Sequence, residues 1–166
     1  MIEFANWLAD SSASQSLQQM YWIVPVAQCI HILAISTLIG SALMINLRIL
    51  NLAGREQPIT STARRFIPWI WWGFVVALVT GLVQIVAEPV RDLVNLAFWG
   101  KMSLLFISLL LLAFFQSTLV RSVAIWEETP SGRSWAQVLA VLSILMWVAI
   151  VILGRWIAYA QIEVNQ

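Results

Sequence analysis

The residues of this chain that could carry chemistry are few, and they stand in unfavourable places. The single histidine, His31, lies inside an apolar run from Tyr21 to Leu52, three residues after Gln28. Gln84 and Glu88 close a second apolar run, Lys101 opens a third, and Arg155 lies within a fourth, followed by Trp156 and Tyr159. Ionisable groups inside a membrane span are expensive and turn toward the bundle interior or a water-filled cavity. An imidazole near two amides, a carboxylate and two cations could hold a small anion or a lipid head group. The same set could serve a membrane electron carrier. His31 would then ligate the iron of a b-type haem, with Lys101 and Arg155 against the propionates. One histidine per chain means that bis-histidine ligation needs two chains. A quinone met by His31, Gln28 and Trp156 is a related possibility.

The elements that must position these groups are legible from composition. The chain has 166 residues, of which 61% are hydrophobic and 10% charged. Soluble domains carry roughly 45–50% apolar and about 25% charged residues, so this is a membrane chain. A net charge of +1 and no basic run longer than Arg64–Arg65 exclude nucleic acid as a partner. The single cysteine, Cys29, excludes an internal disulfide and a multi-cysteine metal cluster.

Four apolar stretches predict transmembrane helices over about 17–52, 62–88, 98–126 and 135–161, in one domain covering 1–166. Each reaches the ~20 residues a bilayer demands. Short connections predict an all-α, antiparallel up-down four-helix bundle. Phe4, Trp7 and Leu8 at helical spacing predict a short N-terminal helix lying in the interface. Ser16 and Gln19 form a capping-box pattern that starts the first span near Leu17, with Pro25 placed to kink it. Thr60, Ser61 or Thr62 is expected to cap the second span. Small residues at Gly73, Ala77 and Gly81, at Ser36 and Gly40, and at Gly154 and Ala158 predict close helix packing.

Lys and Arg set the expected orientation. Arg48, Arg55, Arg64, Arg65, Arg121 and Arg133 lie on one side, against Arg91, Lys101 and Arg155 on the other. The first side is expected in the cytoplasm, which puts both termini on the outer side; the family resemblance given below implies a bacterial inner membrane, with the termini in the periplasm. Tryptophans 69, 71, 72, 126 and 135 mark one boundary and 22, 99 and 156 the other, while Trp147 stands mid-membrane. By a rise of ~1.5 Å per residue, Lys101 and Arg155 lie about 5–10 Å from the outer boundary and His31 about 10–20 Å.

The polar residues share faces as well as depth. Gln28 and His31 belong to the seam Val24, Gln28, His31, Ile35, Leu38; Thr80, Gln84 and Glu88 form another; Lys101 aligns with Ser108, and Arg155 with Tyr159. One pocket opening outward is expected, lined by Gln28, His31, Gln84, Glu88, Lys101, Arg155, Trp156 and Tyr159. Plainer roles stand beside this one. Lys101 could snorkel to head groups, Arg155 could ion-pair with Glu88, and Gln28 and His31 could be interhelical glue. Cys29, Met44, Met102 and Met146 read as packing residues.

Several blocks resemble an uncharacterised family of small four-helix bacterial membrane proteins, a domain of unknown function. They are Gln28-C-I-His31-I-L-A, Leu47-R-I-Leu50, Arg64-R-F-I-P-Trp69, Thr80-G-Leu82, Asn95-L-A-F-W-G-Lys101 and Gly154-R-W-I-A-Tyr159. The resemblance runs in order over nearly the whole chain and implies a four-helix membrane fold without an assigned activity. In that family a glutamate commonly stands at the position of Gln28 and a histidine at that of Gln116. Both departures remove titratable groups and argue against proton transfer. A shorter likeness, His31-x-L-A with Gly40 downstream, is shared with copper-resistance and haem-carrying membrane proteins.

No glycine-rich phosphate loop, H-E-x-x-H or G-x-S-x-G pattern occurs, so no enzyme is predicted. The leading expectation is a non-catalytic binding or accessory component for an anionic or lipidic ligand, working with membrane lipids and as a homo-oligomer or beside a partner subunit. The alternatives are the haem b or quinone electron carrier and a small transporter or channel subunit.

Overall fold

Four long segments, with mean hydropathy of 1.9–2.6 over their most apolar windows, form helices long and apolar enough to cross a membrane. The computed structural model describes residues 2–121 and 130–159, with side chains over 2–117 and 132–157. Its helices are α1 (Ile2–Ala9), α2 (Ser12–Gln19), α3 (Ile23–Ile49), α4 (Ile59–Ala87), α5 (Pro89–Leu93), α6 (Leu96–Arg121) and α7 (Pro130–Tyr159). The long helices α3, α4, α6 and α7 form the expected antiparallel bundle. There is no strand among the described residues.

The N-terminal boundary differs from expectation. The first span begins at Ile23, not near Leu17, because α2 intervenes. Ser11 caps α2 by accepting from the Ser14 N–H at 3.2 Å, and the chain turns at Met20. Pro25 is the third residue of α3, where its missing N–H would have had no helical partner. It therefore starts the helix instead of kinking it. The second span, in contrast, starts earlier than expected. Extended Pro58 precedes Ile59 without a side-chain cap, and residues 60–62 already lie in the first turn. The linker after Glu88 is the short helix α5, with Pro89 at its first position. Gly132 and Arg133 belong to α7, not to a loop. The predicted ends of the third span at 122–126 and of the fourth at 160–161 lie outside the described residues, as does Trp126.

Helix α3 packs most closely on α4 and α6 on α7, with a smaller contact between α7 and α3. The core runs along these contacts through Leu38, Ile45, Ile70, Ala140, Trp147 and Ile150. Gly73 permits the α3–α4 contact: a Cβ there would stand 2.9 Å from the Ala34 carbonyl oxygen and 3.1 Å from the Leu38 Cβ. Gly40 meets nothing within 4 Å and Ser36 is exposed, so that small-residue pair faces away from the other described residues. Farther along α4, Trp71 Nε1 donates to Gln116 Oε1 of α6 at 3.4 Å.

The two ends of the bundle are closed differently. At the loop end, α3 stops with Asn51 in the left-handed region (φ 56°). The Leu52 N–H donates to the Leu47 carbonyl at 2.9 Å and the Asn51 N–H to that of Arg48 at 3.1 Å. This crossed pair satisfies carbonyls the helix leaves open. At the terminal end, α1 packs on α5 and α2 on α4. Gln18 Nε2 donates to the Ala87 carbonyl at 2.8 Å, while Ala5, Ser14 and Pro89 are fully buried. Helix α1 keeps Ile2, Phe4 and Trp7 exposed, with the two rings stacked at 5.8 Å.

Candidate functional site

The polar groups at the terminal end sit where two helices approach closely. His31 on α3 faces the C-terminal part of α4. Its Nδ1 is 2.8 Å from Thr80 Oγ1, and the Thr80 hydroxyl is also 2.7 Å from the Val76 carbonyl. The ring passes over Gly81, where a Cβ would stand 3.3 Å from His31 Cε1. A larger residue at 81 would push the imidazole away from Thr80.

Lys101 repeats this arrangement in the other helix pair. It stands in the second turn of α6 and lies across Gly154 of α7. Its Cδ, Cε and Nζ are each 3.8 Å from the position a Gly154 Cβ would take. The side chain therefore lies along the neighbouring helix. Each of these two basic side chains is thus seated on a glycine of the helix antiparallel to its own.

The carboxylates at this end answer to a different cation. Arg91 on α5 ion-pairs with Glu88, and its Nε is 3.1 Å from Asp92 Oδ1. The Glu88 carboxylate is thus engaged within its own turn, where sequence reasoning offered it to Arg155. Lys101 makes no ion pair within 4 Å among the described residues. It is half-buried, so its charge is incompletely hydrated and incompletely answered by protein.

The other predicted site residues spread outward. Gln28 is half-buried on α3, and Gln84 donates to the Thr80 carbonyl of its own helix at 3.3 Å. Arg155 is exposed and Trp156 is 64% exposed. The Tyr159 side chain lies outside the described residues. The structure therefore brings His31 to Thr80 and Gly81, Lys101 to Gly154, and Asp92 to Arg91. Arg155 and Trp156 stand on the surface at the same end.

Sequence reasoning did not select Thr80 or Asp92 for the site. Thr80 shows a signal, standing one turn before Gln84 and next to Gly81. Asp92 looks like a loop residue until Pro89 starts α5 and folds it inward, leaving it 8% exposed.

A second polar site lies toward the loop end, away from every predicted residue. A cavity of about 50 Å³ opens between α3, α6 and α7. Its polar lining is Asn46, Ser108 and Ser143, among apolar neighbours that include Phe115 and Trp147. Asn46 Nδ2 donates to Ser143 Oγ at 3.1 Å, joining α3 to α7. Among the described residues no ionisable group lines this cavity, and no cluster of metal-ligating side chains occurs.

A family model described as a family of unknown function (DUF6644) matches residues 6–160. No curated protein and no solved structure matches the chain.

Proposed function

The chain belongs to that family of unknown function, and on this premise we propose that it is a non-catalytic membrane component that holds an anionic group beside Lys101 and His31. The supporting observation is the seating of Lys101. Its ammonium lies against Gly154, and both nearby carboxylates are engaged by Arg91. A cation held between apolar helices without a carboxylate favours an anion supplied from outside the chain. His31 adds a hydrogen-bonding ring, and Arg155 adds a second positive charge at the same end. The expected ligand chemistry is a phosphate or carboxylate, from a lipid head group or a soluble anion. In the orientation expected from Lys and Arg counts, the site opens toward the periplasm of an inner membrane.

Native mass spectrometry of the detergent-solubilised chain tests this reading. The probes are phosphatidylglycerol, phosphatidylcholine of the same acyl chains, and inorganic phosphate. Retention of phosphatidylglycerol at least tenfold above phosphatidylcholine, lost in Lys101→Met, supports a lipid source. Retention of phosphate with the same dependence supports a soluble one. Equal binding of all three, indifferent to Lys101→Met, overturns the proposal.

The His31–Thr80 contact favours one second reading. With Nδ1 held, the ring is oriented and Nε2 is left to meet a haem iron or a quinone carbonyl. A Soret band in the purified protein, lost in His31→Ala, supports haem. A colourless preparation that takes up no added haem removes it.

A further inference from the structure

Of the arginines around the α3–α4 turn, Arg48 and Arg55 are taken up by the chain itself. Arg48 donates to the Gln57 carbonyl at 2.6 Å and to Asn51 Oδ1 at 2.9 Å, and Arg55 donates to the Asn51 carbonyl at 2.6 Å. Both guanidiniums thus hold the turn together. Arg64 and Arg65 are exposed on α4 and make neither a hydrogen bond nor an ion pair with another described side chain. The guanidinium carbon of Arg65 stands 5.7 Å from the Phe66 ring centroid. At about 100° per residue, Arg64, Arg65, Pro68, Trp69 and Trp72 fall within an arc of about 140° on the helix, and all five are exposed. Pro68 lies inside the helix and has no N–H, so the Arg64 carbonyl lacks its α-helical donor. Two cations, an open acceptor and two indoles therefore share one face.

The depth of this face suits a lipid head group. Helix α4 has 29 residues, about 43 Å at ~1.5 Å per residue, against a hydrocarbon core of about 30 Å, so a centred helix leaves roughly 7 Å at each end among the head groups. Arg64 and Arg65 stand five and six residues after Ile59, about 8–9 Å along the axis and so at that boundary. Trp69 and Trp72, 58% and 69% exposed, follow about 6–12 Å deeper. Helical side chains lean toward the N-terminal turn, which here brings the indoles back toward the arginines. We propose that this face docks one molecule of diphosphatidylglycerol, a lipid with two phosphates joined by a hydroxyl-bearing glycerol. Each guanidinium takes one phosphate in a forked pair of charge-assisted hydrogen bonds. The glycerol hydroxyl donates to the Arg64 carbonyl, and the acyl chains pass over the two indoles. Two positive charges meet two negative ones. A lipid with a single phosphate leaves one guanidinium unanswered, and a choline head adds a cation to the face. The surface lies at the opposite end of the bundle from Lys101 and does not share its anion.

Competition between lipids in native mass spectrometry of the full chain tests this. The probes are diphosphatidylglycerol, phosphatidylglycerol and phosphatidylcholine, all with oleoyl chains. In Lys101→Met, which removes the cation of the terminal site, one diphosphatidylglycerol should be retained at least about tenfold above either competitor. Adding Arg64→Gln and Arg65→Gln should abolish that preference. Both arginines are exposed, so replacing them leaves the helix packing intact. Diphosphatidylglycerol lacking the central hydroxyl should be retained about threefold less, as the loss of one hydrogen bond requires. Retention no better than that of phosphatidylglycerol, or a preference that survives the loss of both arginines, overturns the proposal. Equal retention of the lipid without the hydroxyl removes the Arg64 carbonyl from it.

Discussion

The two ends of the bundle handle buried polarity in opposite ways. At the terminal end ionisable groups are present, and two basic side chains are seated on a glycine of the adjacent helix: His31 on Gly81 and Lys101 on Gly154. Toward the loop end they are neutral, Asn46, Ser108 and Ser143, and they surround a cavity instead of occupying a glycine notch. The difference teaches what each arrangement is suited to hold. A glycine notch lets a long or planar side chain lie flat, so that its charged or titratable atom reaches between helices without prying them apart. The neutral groups bring no charge to the void among the described residues. The carboxylates reinforce the contrast, since both near the terminal end are held by Arg91.

Substitutions can break this comparison, and the largest effect is expected where neither end is touched. Gly73→Leu would drive a side chain into the Ala34 carbonyl and Leu38, separating α3 from α4 and loosening both sites at once. The expected destabilisation is about 1–3 kcal/mol, measured by unfolding in mixed micelles. A smaller effect is expected from cutting the one direct bond near the cavity. Asn46→Val should lose about 0.6 kcal/mol, the average for an interhelical hydrogen bond in a membrane, and at most about 1.7. Thr80→Val should match it in stability, since it removes the partner of His31 at 2.8 Å, yet differ in readout. The single imidazole NMR resonance should move for Thr80→Val and stay for Asn46→Val. Gly40→Ala completes the series. With nothing within 4 Å of that glycine, the monomer should be unaffected or slightly stabilised, by less than about 1 kcal/mol. A loss of stability there would mean that a second chain packs on that face.

Hydropathy alone reveals four spans and their alternation, because each run is long enough to cross a bilayer and no other element competes. The depth of His31, Lys101 and Arg155 follows from rise per residue. Rotation does not. Helices α3 and α6 are apolar all round, so their sequence carries little signal for which face turns inward. That is why Asn46 and Ser143, 97 residues apart, could not be paired in advance. The same gap explains Glu88. Its depth suggests Arg155 as partner, whereas the proline that starts α5 brings Arg91 to it within one turn. The N-terminal boundary was missed for a local reason. Ser11, not Ser16, is the cap that acts, and it adds a helix before the first span.

The chain has one lysine, so its ammonium can be isotopically labelled without ambiguity. Dipolar recoupling between ¹⁵Nζ-lysine and ¹³Cα-glycine in lipid bilayers reports directly where that charge rests. The account predicts dephasing of the lysine signal by Gly154, abolished in Gly154→Ala grown with the same labels. A lysine signal without glycine dephasing, in contact with lipid phosphate instead, would place Lys101 among the head groups and contradict the seated-cation site.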